Sequence, residues 1–305
     1  MKKLMIAAAF FAAGTLFAAE AEKAEAPAPQ KEAPQIEESD DPIVWGFGNY
    51  GIYSGYQLYG SLVNSQPTMQ GYLEANVNLI GNLSLGIGCW SNTDLTDKRR
   101  STLGKAFNEY DPNIHLDYKF YFDDDEKWAL AYRSTIVWYY YPHRRHDHLW
   151  GSIHTTMDWN HYFELENPYL TPFINVVHEY HESDGNLLQF GVKRTLAFAD
   201  RKDFLKNLTI TPSATFVWRN RNYGWCFPNF GYTPEGRKIN SCLATMVLEL
   251  DFNYQISDHF GLFAKVASCT TLDGDMRDAA DYASGPAYGK YKDFAWGGLG
   301  VTVNF

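Results

Sequence analysis

The residues of this sequence that could do chemistry are acids, bases and histidines set at alternating positions around short turns. Asp117 and Arg133 are equidistant from Asp125, in the charged turn 123–127, and Asp251 and Lys265 are equidistant from Asp258. Hairpin pairing is mirror-symmetric about its turn, so each acid is expected opposite its base, where opposite charges attract. A slip of one residue would break either pair. Glu249 and Arg219 share the same inward parity. These six residues read either as a charged constriction or as buried charges that neutralise one another.

Around the turn near Asn167, His154 is expected opposite Glu179, with His181 one inward step further out. Imidazole and carboxylate together could bind a divalent metal or act as acid and base. The plainer alternative is a hydrogen-bond network. His143, His146 and His148 form a loop cluster near the same end, either solvated or weakly metal-binding. Nothing supplies a nucleophile or a catalytic motif, so no catalytic residue is assigned, no cofactor is expected and the chain reads as a non-enzyme. Cys89, Cys226, Cys242 and Cys269 show no CxxC spacing, which weighs against a zinc or thioredoxin-like site. Cys226 and Cys242 flank a long loop and could staple it with a disulfide; Cys242 with Cys269, or free thiols, are the alternatives.

The elements that must position these groups are strands. The segment 291–305 alternates: Leu299, Val301, Val303 and Phe305 fall on one face, Thr302 and Asn304 on the other. Successive strand side chains point to opposite faces. The segment 240–256 does the same, with Met246, Leu248, Leu250 and Phe252 against Thr245, Glu249, Asp251 and Asn253. Similar runs cover 44–59, 69–79, 83–90, 108–122, 128–141, 148–163, 169–181, 187–198, 208–221 and 260–270. That makes about twelve strands, each long enough to cross a bilayer at a tilt. Short turns and long loops alternate between them, with long loops over 91–107, 222–239 and 271–290. Aromatics cluster toward strand ends, as Trp90, Trp150, Tyr180 and Trp218 on one side and Trp128, Phe120, Tyr254 and Phe305 on the other. No helical periodicity interrupts this region.

The first 21 residues read as a secretory signal: Lys2 and Lys3, an apolar core to Phe17, and a small-x-small cleavage pattern at Ala19–Ala21. Residues 22–42, rich in Pro, Ala and Glu, read as a disordered periplasmic linker. Residues 43–305 would then be one antiparallel transmembrane β-barrel. Mean hydropathy is −0.36 while aromatics make up 16% of the chain, a combination that suits a barrel whose polar lumen offsets its lipid face. The net charge of −10, without a basic stripe, argues against nucleic acid as a partner.

Several stretches resemble the TorF-like family of outer-membrane porins. They are Ser54–Gly60 with Pro67, Gln70 and Gly71, then Gly88–Ser91, then Glu109–Asp111 with Asp117 and Tyr118, and the terminal strand. Tyr59 stands where that family would carry Arg. The resemblance implies a bacterial outer-membrane barrel acting as a porin.

The sequence therefore leads to an all-β outer-membrane barrel of about twelve strands. Its expected role is a channel for passive diffusion of small hydrophilic solutes. A closed barrel whose extracellular loops bind a ligand or partner is the alternative, and an outer-membrane hydrolase the third. Expected partners are outer-membrane lipid, the barrel assembly machinery and small solutes, with the protein a monomer. The strand 44–59 should pair with the last strand to close the ring, and Phe305 reads as an assembly signal.

Overall fold

The computed structural model describes residues 44–95, 108–140, 155–180, 184–223, 233, 235–283 and 292–305. The expected signal segment and linker lie outside these residues, as do His143, His146, His148, His154, His181 and Cys226.

The strands are β1 (Val44–Tyr53), β2 (Tyr56–Leu58), β3 (Ser61–Asn64), β4 (Thr68–Ile80), β5 (Leu83–Asp94), β6 (Asn108–Tyr121), β7 (Ala129–Tyr140), β8 (Thr155–Glu166), β9 (Thr171–Glu179), β10 (Gly185–Lys193), β11 (Leu196–Ala197), β12 (Leu208–Arg219), β13 (Cys242–Gln255), β14 (Phe260–Thr271) and β15 (Asp293–Asn304). Twelve of them form one antiparallel ring in the order β1-β4-β5-β6-β7-β8-β9-β10-β12-β13-β14-β15. β15 returns to β1 with Phe47 opposite Asn304 and Tyr53 opposite Gly298, which leaves the ring without an edge.

The wall is polar inside and apolar outside. On β6, Glu109, Asp111, Asn113 and His115 are buried, while Tyr110, Ile114, Leu116, Tyr118 and Phe120 are exposed. The same alternation exposes Ile52, Leu73, Ile87, Leu262 and Leu299 on other strands. An apolar outer face around a charged interior inverts a water-soluble domain and suits a bilayer, where each backbone group must be satisfied within the ring. The chain is a closed antiparallel β-barrel of twelve wall strands. Rings gather at the turn end, where Trp128 lies 6.4 Å from Tyr169 and Phe120 5.1 Å from Phe122.

Three features depart from the sequence reading. The first strand does not run to residue 59. It leaves the wall at Ser54 and Gly55, and β2 and β3 form a separate hairpin that folds into the barrel. Its two-residue turn is Tyr59–Gly60, with φ of 47° and 77°. Both residues are left-handed, the geometry a two-residue hairpin loop requires, and glycine adopts it without strain. The alternation of 56–64 belongs to this hairpin, not to a longer wall strand.

The loop after β14 contains a helix, α1 (Gly274–Ala283). The side-chain oxygen of Asp273 accepts from the backbone N–H of Met276 at 3.0 Å, so the helix start is capped. Met276 and Ala279, one turn apart, bury against Ile239 and Ala244. Ala244 is the extra residue of a bulge in β13, because Val217 pairs with Thr245 but Trp218 with Leu243.

The third correction is a register. Glu179 pairs with Asp158, not with the position of His154. The turn is centred later than expected because Asn167 caps it. Its side-chain oxygen accepts from the N–H groups of Tyr169 and Leu170, both at 3.0 Å. An Asx turn of this kind fixes which residues oppose each other downstream.

Candidate functional site: the lumen and its inward hairpin

The lumen has two tiers. Toward the turn end, each described base is answered by an acid. Arg133 of β7 faces Asp117 of β6 in the expected register. Its Nε and Nη2 donate to the two oxygens of Asp117 at 2.5 and 2.9 Å. Nη1 and Nη2 donate to Glu74 of β4 at 3.0 and 3.4 Å. One guanidinium thus ties two carboxylates, the arrangement its planar fork favours. Glu74 also accepts from Tyr72 at 2.6 Å and from Asn76 at 3.2 Å. His115 contacts Asn76 through Nε2 at 2.7 Å and Asn113 through Nδ1 at 3.1 Å.

This network joins residues of β4, β6 and β7 across β5. The inward positions of β5 between them are Gly86 and Gly88. A Cβ at Gly86 would collide with Asn76 and His115, and one at Gly88 would lie 2.8 Å from the Tyr72 hydroxyl. The two glycines are the notch through which side chains two strands apart meet.

Asp251 lies opposite Lys265, again as the mirror symmetry requires. The ammonium is nearer to Glu249, at 2.9 Å, than to Asp251, at 3.3 Å, and stands 5.7 Å from the ring centre of Trp296. A lysine stem leans along the strand and serves the diagonal acid as well as the facing one. Two further ion pairs were not anticipated. Lys193 meets Glu164 and Lys119 meets Glu166, each at 2.6 Å. The second spans β7, whose inward residues there are Ala129 and Ala131. Small residues on a middle strand were the available sequence signal.

The outer tier is built around the hairpin. Tyr56 packs on Tyr139, and its ring centre is 5.3 Å from Trp90. Tyr59 lies against Val177, Leu187, Val217 and Tyr223. Its hydroxyl is 3.3 Å from that of Tyr139 and 3.5 Å from Asp158 Oδ2, which also accepts from Tyr139 at 2.9 Å. Burial, reinforced by the Asp158 charge, pushes the Tyr59 phenol far above its ordinary value, so it keeps its proton at any working pH. On the far side, the Cys269 thiol donates to the Gly60 carbonyl at 2.7 Å. The hairpin therefore reaches across the lumen, from β5 and β7 to β14.

Buried at this level are Asp111, Asp158, Glu179 and Arg219. Glu179 is brought beside Asp158, and its expected histidine partners lie outside the described residues. Cys242 is a free thiol with its sulfur 3.7 Å from that of Met276. Among the described residues, no group of three or more His, Cys, Asp or Glu is placed to hold a metal ion. Phe305 exchanges backbone hydrogen bonds with Gly46, at 2.7 and 3.1 Å, and its ring lies over that glycine on the outer face.

No family model matches the chain. No curated relative matches it either. Solved structures do. An outer-membrane channel from Pseudomonas putida F1 is 10% identical with a TM-score of 0.49, covering 90% of this chain and 100% of its own. The NanC porin is 12% identical with a TM-score of 0.46, covering 84% and 98%. The outer-membrane phospholipase of Salmonella typhi, solved as a dimer with bound calcium, is 11% identical with a TM-score of 0.44, covering 88% and 94%. The three differ in activity, and the likeness is one of barrel architecture.

Proposed function

We propose that this barrel is a channel for passive diffusion of small hydrophilic solutes, narrowed at its outer mouth by the β2–β3 hairpin. The observation that carries the reading is the accessible surface left on the bases of the inner tier. The side chains of Lys119, Arg133, Lys193 and Lys265 keep 26–36% of their surface exposed although all four point into the lumen. A lumen filled by side chains would leave them dry. The resemblance of Ser54–Gly60 and Glu109–Asp111 to TorF-like porins supports the same reading. The carboxylates Asp111, Asp158 and Glu179 at the narrow level give it a weak preference for cations. The sequence carries no catalytic motif, and we read the protein as a non-enzyme. It works as a monomer and is inserted by the barrel assembly machinery, with Phe305 as the signal.

The test is purified protein in a planar bilayer. Discrete conductance steps support the channel. A folded, heat-modifiable barrel that gives none would leave the second reading, a closed barrel whose outer loops bind a ligand or partner. One observation favours that alternative: Asp111, Asp158, Glu179 and Arg219 are at most 5% exposed where the hairpin crosses.

A further inference from the structure

One buried guanidinium in the lumen wall has no ion pair among the described residues. Arg219 ends β12, points inward between Leu187 of β10 and Cys242 of β13, and is 2% exposed. Its Nη1 donates to the carbonyl of Tyr223 at 2.6 Å. Its Nε and Nη2 are buried without an acceptor. Among the described residues no ion pair joins Arg219 to a carboxylate, whereas Arg133, Lys119, Lys193, Lys265 and Arg277 each have one. Nε and Nη2 form the edge that Arg133 turns onto the two oxygens of Asp117. At Arg219 the same edge has no carboxylate on it; the Cys242 thiol is its polar neighbour, and the Asp273 carboxylate acts on it only from a distance.

The guanidinium is also held in place. Its anchor, the Tyr223 carbonyl, belongs to a turn organised by Asn220. The Asn220 side-chain oxygen accepts from the backbone N–H groups of Asn186, Asn222 and Tyr223 at 3.1, 3.1 and 2.8 Å. On one side its register partner Leu187 belongs to an apolar and aromatic cluster with Val217, Tyr223 and the hairpin tip Tyr59, whose ring centre is 6.2 Å from that of Tyr223; on the other side stands the Cys242 thiol. An unanswered charge in such a place is costly, and a fixed side-on fork is matched by a planar oxyanion. One cation without a second beside it balances a single negative charge, which favours a carboxylate over a phosphate dianion.

We propose that Arg219 is the anchor for the carboxylate of an organic anion whose aromatic or apolar body lies against Tyr59 and Tyr223. The ligand's route to the site rests on the channel reading; its binding does not. The probe is benzoate, with the neutral isostere benzamide as control, titrated calorimetrically into the detergent-folded full chain. Wild-type protein should bind benzoate saturably and benzamide at least about tenfold more weakly. Arg219→Met should lose about tenfold or more in benzoate affinity, and Arg219→Lys, which keeps the charge without the fork, should lose a smaller but measurable part. Undiminished benzoate binding in Arg219→Met, or no binding to folded wild type, overturns the proposal. If Arg219→Met does not fold, Arg219→Lys decides, and unchanged affinity there overturns the bidentate anchor. A barrel that conducts in a bilayer but does not bind benzoate refutes the anchor alone; one that binds without conducting refutes only the channel.

Discussion

Removing the hairpin should widen the barrel by an amount that can be worked out. Tyr53 and Thr68 are register partners at the outer ends of β1 and β4, so residues 54–67 can be replaced by Asn-Gly, the two-residue turn suited to twisted strands. With strands about 4.8 Å apart and tilted about 40°, a twelve-stranded ring has a backbone diameter of roughly 24 Å. An inward side-chain layer of about 5 Å on each side leaves roughly 14 Å, a section of about 150 Å². A two-stranded ribbon with its side chains occupies on the order of 100 Å² of that. At constant length, conductance follows free area, so the excised protein should conduct about three times as well as wild type. The assay is single-channel recording in planar bilayers, with both proteins checked for heat-modifiable migration. Equal unitary conductance from two folded barrels would refute the reasoning, because the hairpin would then stand outside the conducting path.

Arg133→Met leaves Glu74, 5% exposed, beside Asp117 without a cation, and should destabilise the barrel by about 3 kcal/mol in urea unfolding. Adding Glu74→Gln should recover part of that loss, and a Met variant as stable as wild type would discount the network. Deleting Phe305 removes its paired backbone bonds to Gly46 and should lower the fraction of protein inserted in the outer membrane; normal insertion would remove its role as a signal. Cys269 is buried under Gly60, whereas Cys89 is exposed on the outer face. Excising the hairpin should speed water-soluble maleimide labelling of Cys269 by at least about tenfold, since the thiol's protection comes from that cover. An unchanged rate would mean that the thiol is shielded by the wall itself.

The strands were legible because period-two patterning survives wherever one face meets lipid and the other meets water. The pairs Asp117–Arg133 and Asp251–Lys265 were legible because their turns are short and carry no displaced centre. The same rule failed around Asn167, where a side chain caps the turn and shifts the opposition of Glu179. It failed again at residue 59, because the hairpin continues the alternation of β1 and only the left-handed pair Tyr59–Gly60 marks the reversal. Among its described side chains, helix α1 buries Met276 and Ala279, a stripe too small to stand out within a long loop. The Glu74 bridge was missed for a geometric reason. Pairwise reading connects neighbouring strands, while the glycine notch of β5 lets Glu74 of β4 meet Arg133 of β7, three strands away.

The hairpin stands second in the chain, yet much of its seat is made by strands that come far later. The thiol that meets Gly60 is 209 residues away, and the carboxylate that meets Tyr59 is 99 residues away. Contacts of such long range are the slowest to form. A partly assembled sheet therefore offers only the near part of the seat, Trp90, Tyr139 and Asp158. Its contacts with β12 and β14 form only when those strands have curled round toward β15 and β1. Complete seating of the hairpin is thereby tied to closure of the ring, and the finished mouth exists only once both are done.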